Sequence, residues 1–388
     1  MKEILQSKNS SYLVPFIPIF LALCTWDRLL LAIAIILCFS GALLKKKKVQ
    51  SVPLKVRVLA GINILAFIVS NLLNGTSVLS KPQSYYLGFI IYFGSVYFAN
   101  LQTIKMKRLF IASSILVGPI GVIINDNTDR NIWKYCLGLP TILLILFLEK
   151  KLILRILLLS LCLVISVMVD ARSLAFIVLL GVLRLVQVGI KSSSQKNQKL
   201  QISQKGYWKS GFWLLFLFYA MSILSLFLGY SNITALIGFF LLGRPEFWIN
   251  LFQILEKPLT GWGTSHIPSS SDLFAAFNLA ENSGHSLKEN VIYYWANPNN
   301  ATLQSHSYIG DTWIKGGIFA ALFWMLIILT AFRTIYFSFP SKNALLPIFS
   351  VALIWNILFS PQNALSGFEV LIFYFLIDLE SPRLSSKF

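Results

Sequence analysis

Apolar runs dominate this chain, and most of them are close to one length. A helix needs roughly 17–25 apolar residues to cross the hydrocarbon core of a bilayer. Runs of that size, some slightly short of it, follow one another from Tyr12 to Leu379 with brief polar stretches between them. In lipid each backbone N–H and C=O has to be satisfied within the segment, which makes runs of this length helices. The composition agrees, with 56% hydrophobic residues, 12% charged residues and a mean hydropathy of +0.72. A soluble domain is nearer a quarter charged. The expected fold class is therefore all-α: a polytopic membrane protein, one domain over 1–388, with about twelve transmembrane helices.

The expected spans are Tyr12–Trp26, Leu29–Leu44, Val56–Leu73, Tyr85–Leu101, Leu109–Asn125, Cys136–Leu148, Ile153–Val169, Ser173–Ile190, Gly211–Tyr230, Tyr308–Phe332, Leu345–Phe359 and Leu365–Leu379. The net charge of +18 raises the possibility of a nucleic-acid partner, but the placement of the charges argues against it. With the N-terminus inside, 24 Lys and Arg fall on the inward side and 9 on the outward side, against 4 and 11 Asp and Glu. That is the positive-inside bias that orients membrane proteins. The run Lys45-Lys46-Lys47-Lys48 is then inside, as are both termini and the basic loop 191–209, which is rich in Ser, Gln and Lys. The basic residues report topology, with some attraction to anionic headgroups.

The first span lacks a small-residue cleavage pattern and a second follows at once, so it reads as a retained hairpin. The four cysteines, Cys24, Cys38, Cys136 and Cys162, lie in spans or at their edges and form no CxxC. Buried apolar thiols are the default for them, with a Cys24–Cys136 pairing as the alternative. No internal repeat is evident, which weighs against a transporter built from two matching halves.

One long polar segment interrupts the apolar pattern. It runs over 231–307, between the ninth and tenth spans, and faces outward in this orientation. His266, His285 and His306, all of the chain's histidines, lie in it. Gly243-Arg244-Pro245 reads as a helix start, with Pro245 at the first helical position. Trp248, Leu251, Phe252 and Leu255 then recur at i, i+3, i+4 and i+7, an amphipathic helix over about 245–257 that Pro258 stops. Gly261-Trp262-Gly263 marks a turn, and the stretch from His266 to Ser305 reads as an irregular loop or lid.

Three residues on the outward side have two readings each. Arg172 is an interface anchor or a partner of Asp170, or else an anion-binding group lining a cavity. Arg244, at a helix N-terminus, is a solvated partner of Glu246, or else joins the free N–H groups there in holding a phosphate. His306 is a cap at a loop-to-helix junction, or else a base that takes a proton from a sugar hydroxyl. The histidine spacings fit no zinc motif, so no metal is expected. Asp311 and Lys315, one turn apart, read as a structural pair. Asn74-Gly75-Thr76, Asn232-Ile233-Thr234 and Asn300-Ala301-Thr302 match the glycosylation sequon, which bears only on a eukaryotic cell.

The stretch Gly243-Arg244-Pro245-Glu246-Phe247-Trp248, followed by Pro258-Leu259-Thr260-Gly261-Trp262-Gly263, resembles the core signature of the bacterial O-antigen polymerase and O-antigen ligase superfamily. There a Gly-Arg and a Trp open a helix and a Pro-x-x-Gly-x-Gly closes it. His306-Ser307 with the downstream Gly317 resembles the family's second signature, with Ser307 replacing the commoner asparagine and Ala320 standing where a second glycine is frequent. Asp170-Ala171-Arg172-Ser173 is similar to the Ser-Arg-containing start of the preceding span. The resemblance is closest between Val169 and Leu329.

It implies a metal- and cofactor-independent glycosyltransferase of the GT-C type in the bacterial inner membrane, acting at the periplasmic face. The implied donor is a glycan on undecaprenyl diphosphate, and the acceptor is a second glycan or lipid A–core, with other polysaccharide-assembly proteins as partners. Arg172 and Arg244 would hold the diphosphate, His306 would be catalytic, and Trp248, Gly261, Gly263, Ser307 and Gly317 would support the site. A polysaccharide polymerase is the first expectation and a ligase that transfers finished glycan the second. A transporter of lipid-linked glycan is the alternative of another class, for which Glu369 is the one candidate intramembrane acid.

Overall fold

The computed structural model describes residues 52–78, 137–149, 151–169, 171–194, 245–283, 307–338, 345–360 and 366–380, with scattered positions between 88 and 133. Among the described residues all regular structure is helical. The helices are α1 (Leu54–Leu73), α2 (Gly138–Leu148), α3 (Leu152–Met168), α4 (Arg172–Ser194), α5 (Pro245–Glu256), α6 (Ser270–Asn282), α7 (Tyr308–Ser338), α8 (Leu345–Phe359) and α9 (Ser366–Glu380). Two of them, α1 and the Tyr308–Tyr336 part of α7, are long and apolar enough to cross a membrane. The expected spans before Val56 and the one at Gly211–Tyr230 lie outside the described residues, as do most of those at Tyr85–Leu101 and Leu109–Asn125. α4 continues to Ser194, so the first residues of the basic 191–209 stretch are helical rather than loop.

The exposed apolar residues are patterned. On α3, Ile153, Leu157, Leu161, Val164 and Met168 are exposed and follow one helical stripe, while Leu159, Cys162 and Ser166 are buried on the opposite face. On α1, Leu54, Val58, Leu65, Val69, Leu72 and Leu73 are exposed, and Val56, Ala60, Asn63, Phe67 and Ser70 are buried. Water disfavours continuous apolar stripes of this kind, whereas hydrocarbon does not.

α1 packs along α7, α7 along α8, and α3 along α4, which in turn meets α8. Leu159, Val178, Trp324, Leu346 and Phe373 belong to one apolar core shared by these helices. Small residues set the closest approach of α1 and α7. A methyl group on Gly316 would press into the Phe67 ring, and buried Asn63 donates to the Ala320 carbonyl at 3.0 Å. α5 and α6 form a separate hairpin, with Trp248 buried against Ala280 and Leu279.

α5 occupies Pro245–Glu256 where a helix over 245–257 was expected. α6 differs from expectation, because the stretch after His266 is not irregular throughout. Ser269 caps α6: its side chain accepts from the Asp272 N–H, and the Asp272 carboxylate accepts from the Ser269 N–H. This reciprocal capping box satisfies two otherwise orphaned donors. Leu273, Ala276, Phe277 and Ala280 then bury one face, Ile249 of α5 packing on the first three.

Candidate functional site

The Pro258–Gly263 turn and Gly317, far apart in the chain, lie against each other. α7 is interrupted at Gly317, where φ is +71° and ψ −171°, a conformation that only glycine adopts readily. The interruption frees backbone groups that an unbroken helix would pair internally. The turn pairs them. Trp262 N–H donates to the Ile314 carbonyl at 2.7 Å, Gly263 N–H donates to the Lys315 carbonyl at 3.1 Å, and Ile318 N–H donates to the Pro258 carbonyl at 3.0 Å. The Trp313 indole N–H adds a second bond to the Pro258 carbonyl at 2.8 Å. A methyl group on Gly261 would meet the Gly317 nitrogen and the Ile314 carbonyl, and one on Gly317 would meet the Leu259 carbonyl. Each glycine is therefore the condition for the other's approach.

The C-terminal end of α1 clamps the same turn. Asn71 is buried, and its Oδ1 accepts from the Thr264 N–H at 2.7 Å and the Thr76 hydroxyl at 2.9 Å, while its amide donates to Thr264 Oγ1 at 3.0 Å. Asn74 donates to the Gly261 carbonyl at 3.1 Å and accepts from the Lys257 ammonium at 2.6 Å. Its amide is engaged, so the Asn74-Gly75-Thr76 sequon is a packing element here. The Lys257 ammonium also sits 4.1 Å from the Trp262 ring centroid, and the His266 ring stacks on Trp262 with centroids 4.5 Å apart. Trp262 donates to the Gln253 carbonyl at 2.9 Å, and Gln253 Oε1 meets His266 Nε2. His266, Lys257 and Trp262 thus fasten the turn to α5.

A second polar group lies where four helix ends meet. Ser307 caps α7, its hydroxyl accepting from the Gly310 N–H at 3.0 Å and donating to the Ile357 carbonyl of α8 at 3.1 Å. Below it the Trp324 indole donates to Thr312 at 2.9 Å, and Trp324 packs on Tyr308 with centroids 5.1 Å apart. The Tyr308 hydroxyl points at Glu369 of α9, which also accepts from Asn356 of α8. Phe176, in the second turn of α4, meets Trp355 with centroids 6.3 Å apart. The starts of α4, α7 and α9 and the end of α8 therefore share one end of the bundle.

The residues expected to act fall differently. Arg172 opens α4 at this shared end; its side chain lies outside the described residues. Arg244 and His306 also lie outside them; their chain neighbours Pro245 and Ser307 begin α5 and cap α7. Trp248 is core, edge-on to Phe247 with centroids 5.4 Å apart. Gly261, Gly263 and Gly317 form the interlock, and Lys315 pairs with Asp311 at 2.6 Å, as expected. Among the described residues no group of three or more His, Cys, Asp or Glu is placed to hold a metal.

Sequence reasoning missed Asn71, Tyr308 and Asn356, and read Asn74 only as part of a sequon. The signal available was polar residues at helical spacing, such as Asn71 and Asn74, at the ends of apolar runs. Comparison with protein-family models, curated proteins and solved structures returned no match.

Proposed function

We propose that this chain is a membrane-embedded glycosyltransferase that polymerises a polysaccharide from lipid-diphosphate-linked repeat units at the outer face of a bacterial inner membrane. The observation that supports it is the shared helix end. Arg172 opens α4 there, and Ser307, the residue after His306, is tied to Ile357. Arg172 thus begins a helix at the end of the bundle where Ser307 caps α7, and His306 precedes Ser307 in the sequence, on the outward side in the orientation the charges favour. The interlocked Pro258–Gly263 turn and Gly317 add to this, because they make one body of the two segments whose motifs resemble the O-antigen polymerase and ligase superfamily.

The chemistry asks little beyond such groups. An acceptor hydroxyl attacks the anomeric carbon of the donor glycan, forming one C–O bond. The bond from that carbon to the lipid diphosphate breaks, and the diphosphate leaves with the electron pair. The arginines, Arg172 and Arg244, stabilise the charge that grows on it, and His306 takes the hydroxyl proton. The lipid–diphosphate bond supplies the driving force, so no cofactor is required.

Replacing His306, Arg244 or Arg172 by Ala is expected to abolish polymer while the protein still inserts. Normal chain-length ladders on a surface-polysaccharide gel from all three variants would sink the assignment. Deleting the gene separates the acceptors: single repeat units still attached to the final acceptor indicate a polymerase, and full-length polymer stranded on the lipid diphosphate indicates a ligase.

A further inference from the structure

Glu369 has no part in the chemistry above, yet its carboxylate lies at the shared helix end. It lies in the first turn of α9, where a helix dipole favours an acid. Its partners, however, come from other helices. The Tyr308 hydroxyl of α7 donates toward its two oxygens at 3.4 and 3.3 Å, and the Asn356 amide of α8 does so at 3.2 and 3.4 Å. A carboxylate has about four acceptor positions, and bonds to a charged oxygen are ordinarily about 2.7–2.9 Å. Among the described residues these two long donors are its partners and no cation pairs with it. An acid placed among apolar helices at a cost in stability is the pattern of a functional group.

The surroundings indicate the ligand. Glu369, Asn356, Ser360 and Ser307 are each partly exposed, whereas Tyr308, Thr312 and Trp324 beneath them are buried. These polar groups are therefore not sealed in the core. Ser360 donates to Asn356 Oδ1 at 3.0 Å, which extends the row of polar groups. Trp355 and Phe359, with centroids 4.7 Å apart, stand on the same last turns of α8. A carboxylate and an amide, with aromatic residues on the same helical turns as the amide, suit a sugar, which offers hydroxyl donors at its edge and C–H groups on its face.

We propose that Glu369, with Asn356 and Ser360, forms the subsite that holds hydroxyl groups of the acceptor sugar. The inference rests on the glycosyltransferase reading. It assigns Glu369 to binding, and leaves proton removal to His306.

The test uses the full-length protein in membrane vesicles, supplied with lipid-linked repeat units extracted from a strain deleted for this gene. Removing a hydrogen bond to a charged group should raise the acceptor KM of Glu369→Gln about tenfold or more, with kcat nearly unchanged. Ser360→Ala, a milder change in the same row of polar groups, should raise the same KM by a smaller factor, and keeps the test decisive if Glu369→Gln does not fold. An unchanged acceptor KM in the folded variants, or a fall in kcat alone, overturns the subsite. Absence of any transfer by the unaltered protein instead overturns the glycosyltransferase reading itself.

Discussion

At Gly317 the backbone takes φ +71°, and an added methyl group would run into the Leu259 carbonyl. A side chain held in a sparsely populated conformation costs about 1–3 kcal/mol before any clash is counted, and here the clash is with backbone. Gly317→Ala should therefore lower the melting temperature in detergent by several degrees. Gly61→Ala is the control: it lies inside α1 with nothing within 4 Å of the added carbon, where Ala in place of Gly gains about 0.5–1 kcal/mol of helix stability. Equal melting temperatures for the two variants would refute the account of the interlock. At this scale Gly261 and Gly263 were legible as a turn signal in the local sequence, and Gly317 through the family signature it resembles. Asn71 and Asn74 were not. Their partners Thr264 and Gly261 lie 193 and 187 residues away, and an asparagine at the end of an apolar run reads equally well as solvated.

α5 was legible because a proline opens it, a proline follows it, and four apolar residues keep its period. α6 was not, because the serines and asparagines around it outweigh four well-spaced apolar residues, although Ser269 and Asp272 carry a capping signal three residues apart. Removing an N-cap side chain costs about 0.5–2 kcal/mol. Ser269→Ala should accordingly loosen α6 on its own, since the hairpin buries only Trp248, Ile249 and a few neighbours. Faster amide exchange over 270–283 with unchanged exchange in α7 is the expected result, and equal acceleration in both would show that the hairpin and α7 open together.

Over the whole molecule, expected spans and helix pairing rest on different kinds of signal. The expected spans and orientation rest on hydropathy and on where Lys and Arg fall, both of which are local. Among the described residues α1 and the Tyr308–Tyr336 part of α7 are long and apolar enough to cross a membrane. That α1 lies along α7, with the turn wedged between Asn71 and Gly317, depends on contacts that no periodicity encodes. The proposed orientation can be checked in a chain freed of its own cysteines. A membrane-impermeant thiol reagent should label Asn278→Cys, exposed on α6, from the outer face of intact spheroplasts. It should reach Ser203→Cys only after lysis. The reverse pattern would invert the topology and with it the placement of the site.

The break in α7 also bears on the order in which the chain is made. A helix that leaves carbonyls and an N–H unpaired midway is hard to place in an apolar surrounding by itself. Every partner those groups use belongs to residues 258–263, and the clamp on that turn comes from 71 and 74, so synthesis delivers the receptor before the helix that needs it. A circular permutation that placed α7 ahead of residues 258–263 would keep each contact in the finished fold and lose that sequence of events.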